Sequence, residues 1–208
     1  MAARLSTFEG IPSKRLLCLL TIFATTWAGA PANATVGSST AFVESLGEAV
    51  VAILEDPSLS PAERIDRYST EFEKACDWER ISVFAIGRYQ RGVTRNQFNA
   101  YRDLFARHMM KIYAEKFASY SGERFLVKGE RTFGRGGSEV TAILQGSAES
   151  EPVKLAFKLV QTGDTQPIYD VVINGASLLD AKRAEMKGII AARGIDGLIA
   201  QFKQANAS

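Results

Sequence analysis

The feature that most constrains the fold is a change in the spacing of the apolar residues near residue 122. Before this point apolar residues recur every three to four positions, which is typical of amphipathic helices. After it they alternate with polar residues, as in strands with one buried and one solvated face. The helical spacing returns from about residue 178. A helical segment, a run of consecutive strands and C-terminal helices together predict an α+β fold.

The helical segment, about residues 41–121, is predicted to contain four helices. The clearest start signal belongs to the second, because Ser60 and Glu63 flank Pro61 in the pattern of a capping box with proline at the first helical position. Pro57, Gly87 and Gly122 are expected to end the first, third and fourth helices. The predicted bounds are 41–54, 61–75, 78–86 and 95–121. The residues that the second helix should bury are Ile65, Tyr68 and Phe72.

The alternating segment, about residues 123–174, predicts four strands joined by short connections, hence a curved antiparallel sheet. Glycines at 134, 136 and 137 form the first turn. In the third strand Leu155 and Phe157 face inward, while Lys154 and Lys158 face water. The fourth strand is apolar on both faces, so a slip of one residue would exchange them. Two helices, about 178–193 and 195–204, follow with Gly194 between them.

The N-terminal segment, residues 1–34, has the three parts of a secretory signal peptide. Basic residues precede an apolar run over 16–26, and the small residues Ala32-Asn33-Ala34 provide a cleavage site. The run is shorter than the about 20 apolar residues that span a bilayer. We therefore expect cleavage after Ala34 and a soluble, periplasmic domain formed by residues 35–208.

The charge balance gives no indication of a nucleic-acid partner. The precursor has a formal net charge of +2, and the predicted signal peptide accounts for it, because it carries three basic residues and one acidic residue. The remaining chain is close to neutral, whereas nucleic-acid-binding domains carry a basic surface.

The residues needed for catalysis or metal binding are scarce. His108 is the only histidine, and it lies within the long helix beside apolar residues, where a partly buried imidazole is expected. No nucleophile motif and no zinc motif occurs. Cys76 is the only cysteine after the signal peptide, and its helical context favours a buried apolar role. We predict no catalytic residues, no metal and no cofactor. A binding function would need only a concave apolar surface.

An ordered set of motifs resembles the MlaC (toluene-tolerance) family over essentially the whole chain after the signal peptide. Ile86-Gly87-Arg88-Tyr89 is followed by Thr94-Arg95-Asn96-Gln97-Phe98 at the start of the long helix. The other similar segments are residues 113–123, residues 168–178, Arg183 and residues 194–199.

The resemblance implies a periplasmic phospholipid carrier with a lipid-binding domain at 35–208. Such a carrier passes lipid between an outer-membrane lipoprotein complex and an inner-membrane ABC transporter that has an MCE-type lipid-binding subunit, and so maintains lipid asymmetry. The implied fold is a cystatin-like or NTF2-like sheet wrapped by helices, with the acyl chains in an apolar cavity between them. A binding protein for another apolar lipid such as a hopanoid, a structural adaptor with a packed core, and an enzyme of unforeseen type remain the alternatives.

The resemblance and the strand alternation together predict which residues line the cavity. The headgroup should stay at the mouth, because burying its charge would cost more than its contacts gain. The expected lining from the strands is Leu155, Phe157, Tyr169, Val171 and Ile173. From the helical segment it is Phe84, Tyr101, Phe105 and Met109, and the Gly-Arg-Tyr motif adds Tyr89.

Overall fold

The computed structural model describes residues 38–117, 122–146 and 151–207, which belong to one compact unit, Thr35–Ser208. The predicted signal peptide at 1–34 lies outside the described residues. Four helices lie between residues 39 and 117, within a few residues of the predicted bounds, and the last four positions of the predicted fourth helix are not described. The helices are α1 (Ser39–Glu55), α2 (Pro61–Ala75), α3 (Trp78–Ile86), α4 (Arg95–Phe117) and, after the sheet, α5 (Leu178–Ala207). A 3-10 turn (Gly87–Gly92) joins α3 to α4.

The capping box of α2 is confirmed. The Glu63 amide donates to Ser60 Oγ at 3.3 Å, and the Ser60 amide donates to the Glu63 carboxylate at 2.8 Å. Tyr68 is buried as predicted, but the prediction for Ile65 is wrong, because 41% of its surface is exposed. Ile65 lies on the flank of α2 beside a wide polar groove that α2 forms with α4. The apolar spacing indicates the helix correctly, but it does not show that this flank of α2 faces a polar groove.

The sheet is antiparallel and has five strands among the described residues, in the order β1-β2-β3-β4-β5. The prediction of four strands missed the last one, which contains only two residues. Asn174 and Gly175, with φ of 49° and 86°, turn the chain so that Ala176 pairs with Ile173. An Asn-Gly pair is the usual sequence of such a hairpin turn. The strands are β1 (Arg124–Phe133), β2 (Gly137–Gln145), β3 (Val153–Val160), β4 (Ile168–Ile173) and β5 (Ala176–Ser177).

The pairing of β3 with β4 contains an irregularity in its register. Phe157 pairs with Val171, and Leu159 pairs with Ile168, so Tyr169 is an extra residue on β4. A bulge of this kind bends the strand and changes the direction of the side chains. Ile168 also connects the sheet to the helices, because its carbonyl oxygen accepts a hydrogen bond from the Asp77 amide at 2.9 Å.

Two groups of buried side chains form the core. One lies among α3, α4 and α5, and the other lies between the sheet and helices α1 and α2. Gly47 lets α1 approach the sheet closely, since a Cβ atom there would lie 2.3 Å from the ring of Phe125. Phe72, Cys76 and Tyr113 pack against both groups. The two groups therefore meet where α2, α4 and β4 come together.

The C-terminal helix is two helical segments, as predicted, because Gly194 has φ 66° and ψ −176° and interrupts it. Of the helices in the described parts of the chain, none is both long enough and apolar enough to cross a membrane. The likeness of the sheet to the cystatin or NTF2 folds stays a prediction.

Candidate functional site

An apolar cavity of about 140 Å³ lies at the junction of the two core groups. Strands β3 and β4 form one wall, α2, α3 and α4 form the opposite wall, and the first turn of α5 forms the rim. We call it the main cavity. Its lining residues are Tyr68, Phe72, Cys76, Trp78, Ile81, Phe105, Met109, Met110, Tyr113, Leu155, Phe157, Ile168, Tyr169, Asp170, Val171, Ile173, Leu178, Leu179 and Lys182.

Most of the residues proposed from the sequence lie in this wall. The structure brings together Phe105, Met109, Leu155, Phe157, Tyr169, Val171 and Ile173 around the main cavity. On β4 the lining also includes Ile168 and Asp170, which strict alternation does not place on the predicted inward face. Contact of these side chains with a ligand stays a prediction.

Three of the proposed residues do not line the cavity, and their surroundings differ. They are Phe84, Tyr89 and Tyr101. Tyr101 has no exposed surface, and its hydroxyl donates to the carbonyl oxygen of Ser82 at 3.2 Å within the packed group among α3, α4 and α5. Phe84 is 37% exposed, with the guanidinium of Arg183 at 4.5 Å from its ring centre. Tyr89 lies in the 3-10 turn, with the guanidinium of Arg88 at 5.2 Å from its ring centre.

The sequence reasoning missed part of the helical wall and the rim. Tyr68 and Phe72 were expected to be buried, but only as core. Trp78, Met110 and Tyr113 were not singled out as lining residues, although α4 carries apolar residues over a broad face. Lys182 was not considered, because no pattern indicated that the start of α5 would close the rim.

Three titratable groups of the wall, the Cys76 thiol and the hydroxyls of Tyr68 and Tyr113, stay uncharged near neutral pH. Burial raises the pKa of the Cys76 thiol to about 12. Burial, with a smaller effect from the charge of Asp170, raises the pKa of Tyr113 to about 12. Burial also raises the pKa of Tyr68. Since these groups titrate far above neutral pH, they add no charge to the cavity wall.

Among the described lining residues Asp170 is the one carboxylate, and its hydrogen bonds connect neighbouring elements of the fold. Lys158 Nζ donates to it at 3.0 Å, Ser177 Oγ at 2.8 Å and the Leu179 amide at 3.2 Å. It is buried, with 6% of its surface exposed. A carboxylate with these three donors fixes the first turn of α5 to β3 and β4, and it is already satisfied without a ligand.

Lys182 is the only cationic residue in the lining of the main cavity as described. Its side chain is 18% exposed, and its ammonium group donates to the carboxylate of Glu185 at 2.8 Å. The partner carboxylate is 42% exposed. The first turn of α5 thus carries a positive charge beside the cavity, paired with a partly exposed carboxylate.

A smaller apolar cavity of about 70 Å³ lies beneath α1, and we call it the α1 cavity. It shares Phe72, Leu155 and Phe157 with the main cavity. Its other lining residues are Val43, Leu46, Gly47, Val50, Val51, Leu54, Phe125 and Leu144.

His108 does not belong to either cavity lining. It is half-buried in α4, and its ring centre lies 5.0 Å from that of Phe202. Within the described residues, no group of three His, Cys, Asp or Glu side chains is placed to hold a metal ion. The arrangement as a whole can enclose an apolar ligand and leave a charged end at the rim.

The chain is similar to a known protein family and to solved structures. The model of a family described as MlaC protein matches residues 44–204. A solved structure of the phospholipid-binding protein from Ralstonia solanacearum, in complex with a phospholipid, is similar to this chain with a TM-score of 0.74. The two chains are 22% identical, and the similarity covers 82% of this chain and 98% of the other. At this identity the similarity establishes the fold.

Proposed function

Because the chain belongs to the MlaC family, we propose that it binds a phospholipid by its acyl chains. The observation that carries this proposal is the main cavity, whose wall is apolar apart from Asp170 and Lys182 at the side of α5. The neighbour from Ralstonia solanacearum, which has the same fold, is a phospholipid-binding protein and holds a phospholipid.

The energetics of lipid transfer explain why such a cavity is needed. Each methylene group costs about 0.8 kcal/mol to hold in water, and a diacyl lipid has about 30 of them. A protein that moves this lipid through water must replace the bilayer interior with an apolar wall. Burying the phosphate would be unfavourable, so the headgroup lies at the rim, where Lys182 supplies the opposite charge.

We further propose that the protein is an exported carrier in the periplasm. It would pass phospholipid between an outer-membrane lipoprotein complex and an inner-membrane ABC transporter with an MCE-type subunit, and act as a carrier rather than as an enzyme. Membership in the MlaC family supports this role. The segment at 1–34, with the pattern of a signal peptide, supports export.

Mass spectrometry of the protein purified from the periplasm of its own host tests the binding proposal. We expect a co-purified phospholipid with two acyl chains, and an N-terminus near Thr35. A co-purified hopanoid or other neutral lipid would favour the alternative of a different apolar ligand. A protein that carries no lipid and takes none up from vesicles would refute lipid binding.

A fluorescence titration provides an independent measurement. The chain has two tryptophans, Trp27 and Trp78, and Trp27 lies in the predicted signal peptide. In the processed protein Trp78 would be the only tryptophan, and it lies in the cavity wall. Lipid binding should therefore change the tryptophan emission, whereas an added headgroup without acyl chains should not.

A further inference from the structure

The α1 cavity has no assigned role, although its wall is more uniformly apolar than that of the main cavity. Every residue in its lining is valine, leucine, phenylalanine or glycine. It lies between one side of α1 and strands β1 to β3, away from Asp170 and Lys182. A cavity with no polar partner for water stays dry and favours an apolar occupant.

Three side chains border both cavities. Phe72 from α2, with Leu155 and Phe157 from β3, lines both. Their side chains carry no hydrogen-bonding groups, so they can move without breaking a polar interaction. The ring of Phe72 is in contact with Tyr68, at 4.7 Å between ring centres. We call these three side chains the partition.

The cavities must widen if a phospholipid binds. The main cavity, at about 140 Å³, resembles in size an engineered cavity of about 150 Å³ that holds one benzene molecule. It therefore accommodates only a few methylene groups of an acyl chain. Even together, the two cavities are smaller than the about 300 Å³ at the lower end of known ligand pockets. A lipid with two chains must both widen the main cavity and occupy further apolar space.

We propose that the α1 cavity is the site of the second acyl chain of a two-chain lipid, with one chain in each cavity and the partition displaced between them. This inference rests on the proposed function. Three observations support it: the two cavities are adjacent, they share the apolar partition, and the wall of the α1 cavity is purely apolar. A lipid with a single chain needs only the main cavity, widened to hold that chain.

Substitutions in α1 that fill the α1 cavity test the proposal. Val50→Phe adds about four heavy atoms to the wall of a cavity of about 70 Å³. Val51→Phe is a second variant at a half-buried position in the same wall, so it disturbs the core less. Ala52→Phe is the matched control, because Ala52 is the next residue of the same helix, is exposed and does not line the cavity. None of these changes alters the tryptophan content.

Binding is measured for two lipids that share a headgroup, dipalmitoyl phosphatidylglycerol and palmitoyl lysophosphatidylglycerol. Native mass spectrometry and the Trp78 emission give the affinity of each exported, purified variant. We expect Val50→Phe and Val51→Phe to weaken binding of the two-chain lipid at least tenfold and to leave binding of the one-chain lipid within twofold of wild type. Ala52→Phe should bind both lipids as wild type does.

Equal binding of the two-chain lipid by wild type and by both cavity-filling variants would refute the second site. Parallel loss of both lipids would also refute it, because the α1 cavity would then not distinguish the chains. A wild-type protein that binds neither lipid would refute the proposed function itself, and this outcome is distinct from the other two.

Discussion

Replacing Val171 with tryptophan tests whether this residue belongs to a cavity wall or to a packed core. Val171 lies on β4 opposite Phe157, and its side chain borders the main cavity. The substitution adds about seven heavy atoms, and a cavity of about 150 Å³ holds the six carbons of benzene. The indole should therefore fill most of the main cavity's about 140 Å³ without pushing its neighbours apart.

The two possibilities predict changes in different quantities: the melting temperature if Val171 is packed core, and the affinity for lipid if it borders a cavity. In a filled core, overpacking costs about 1–3 kcal/mol, which lowers the melting temperature of a domain of this size by about 2–12 °C. In the cavity, the indole instead displaces about seven methylene groups of the ligand. At about 0.8 kcal/mol each, their loss corresponds to a weakening of lipid binding by at least a thousandfold.

The assay measures the co-purified lipid and the thermal unfolding of the same preparation. Val172→Trp is the matched control, because Val172 is the next residue on β4, lies on the opposite face by strand alternation, pairs with Ala156 and lines neither cavity. We expect Val171→Trp to lose its lipid at an unchanged melting temperature, and Val172→Trp to retain its lipid. A Val171→Trp protein that keeps its lipid and melts several degrees lower would show that Val171 is ordinary core.

Three further predictions follow from single side chains. Burial raises the pKa of the Cys76 thiol from 9.0 to about 12, so at pH 8 its thiolate fraction, and its rate of alkylation in the folded protein, should be about a thousandfold below those of a free thiol. A native labelling rate equal to the rate in denaturant would contradict this. Lys182→Ala should weaken binding of an anionic phospholipid by up to about fivefold in vesicle titrations, in line with the about 0.2–1 kcal/mol of an exposed ion pair. The exposed residue Lys187 provides the control variant, Lys187→Ala, and an equal effect of both substitutions would exclude a specific role of Lys182. His108→Ala should leave lipid binding and transfer unchanged, because His108 lies outside both cavity linings, and a loss of transfer at a normal melting temperature would overturn that assignment.

Local signals in the sequence predicted the elements of the fold well, because short-range interactions determine them. The capping box at Ser60 and Glu63 and the interruption at Gly194 depend on residues within a few positions of each other. Strand β5 was missed although Asn174-Gly175 is a strong hairpin signal, since two residues are too few to show an alternating pattern. Ile65 was misplaced because spacing identifies the apolar side of α2 but not which part of that side meets another element.

The position of the cavity could be predicted only in part, because cavity walls and packed core use the same residue types. Tyr101 and Phe105 lie one turn apart on α4, and their rings stack at 5.6 Å. Phe105 borders the main cavity, whereas Tyr101 is enclosed by its neighbours. The difference depends on which residue of α5 packs at each position. At Tyr101 this residue is Met186, whose sulfur lies 3.3 Å from the Tyr101 hydroxyl. Sequence spacing within α4 contains no information about that contact.

The distribution of polar contacts indicates which walls can yield to a ligand. At the rim, Asp170 connects β3, β4 and α5 through three hydrogen bonds, so this side is held in place. The first residues of helix α1 make polar contacts with the sheet: Thr40 Oγ1 donates to Glu130 at 2.8 Å and Ser138 Oγ donates to Ser39 Oγ at 2.7 Å. From Val43 onward, the side chains that α1 places on the α1 cavity are apolar. Apolar contacts have no preferred direction, so these side chains can shift against the sheet without breaking a hydrogen bond of their own. The wall over the α1 cavity should therefore yield to a ligand more readily than the rim, and this is where a second acyl chain would need the space.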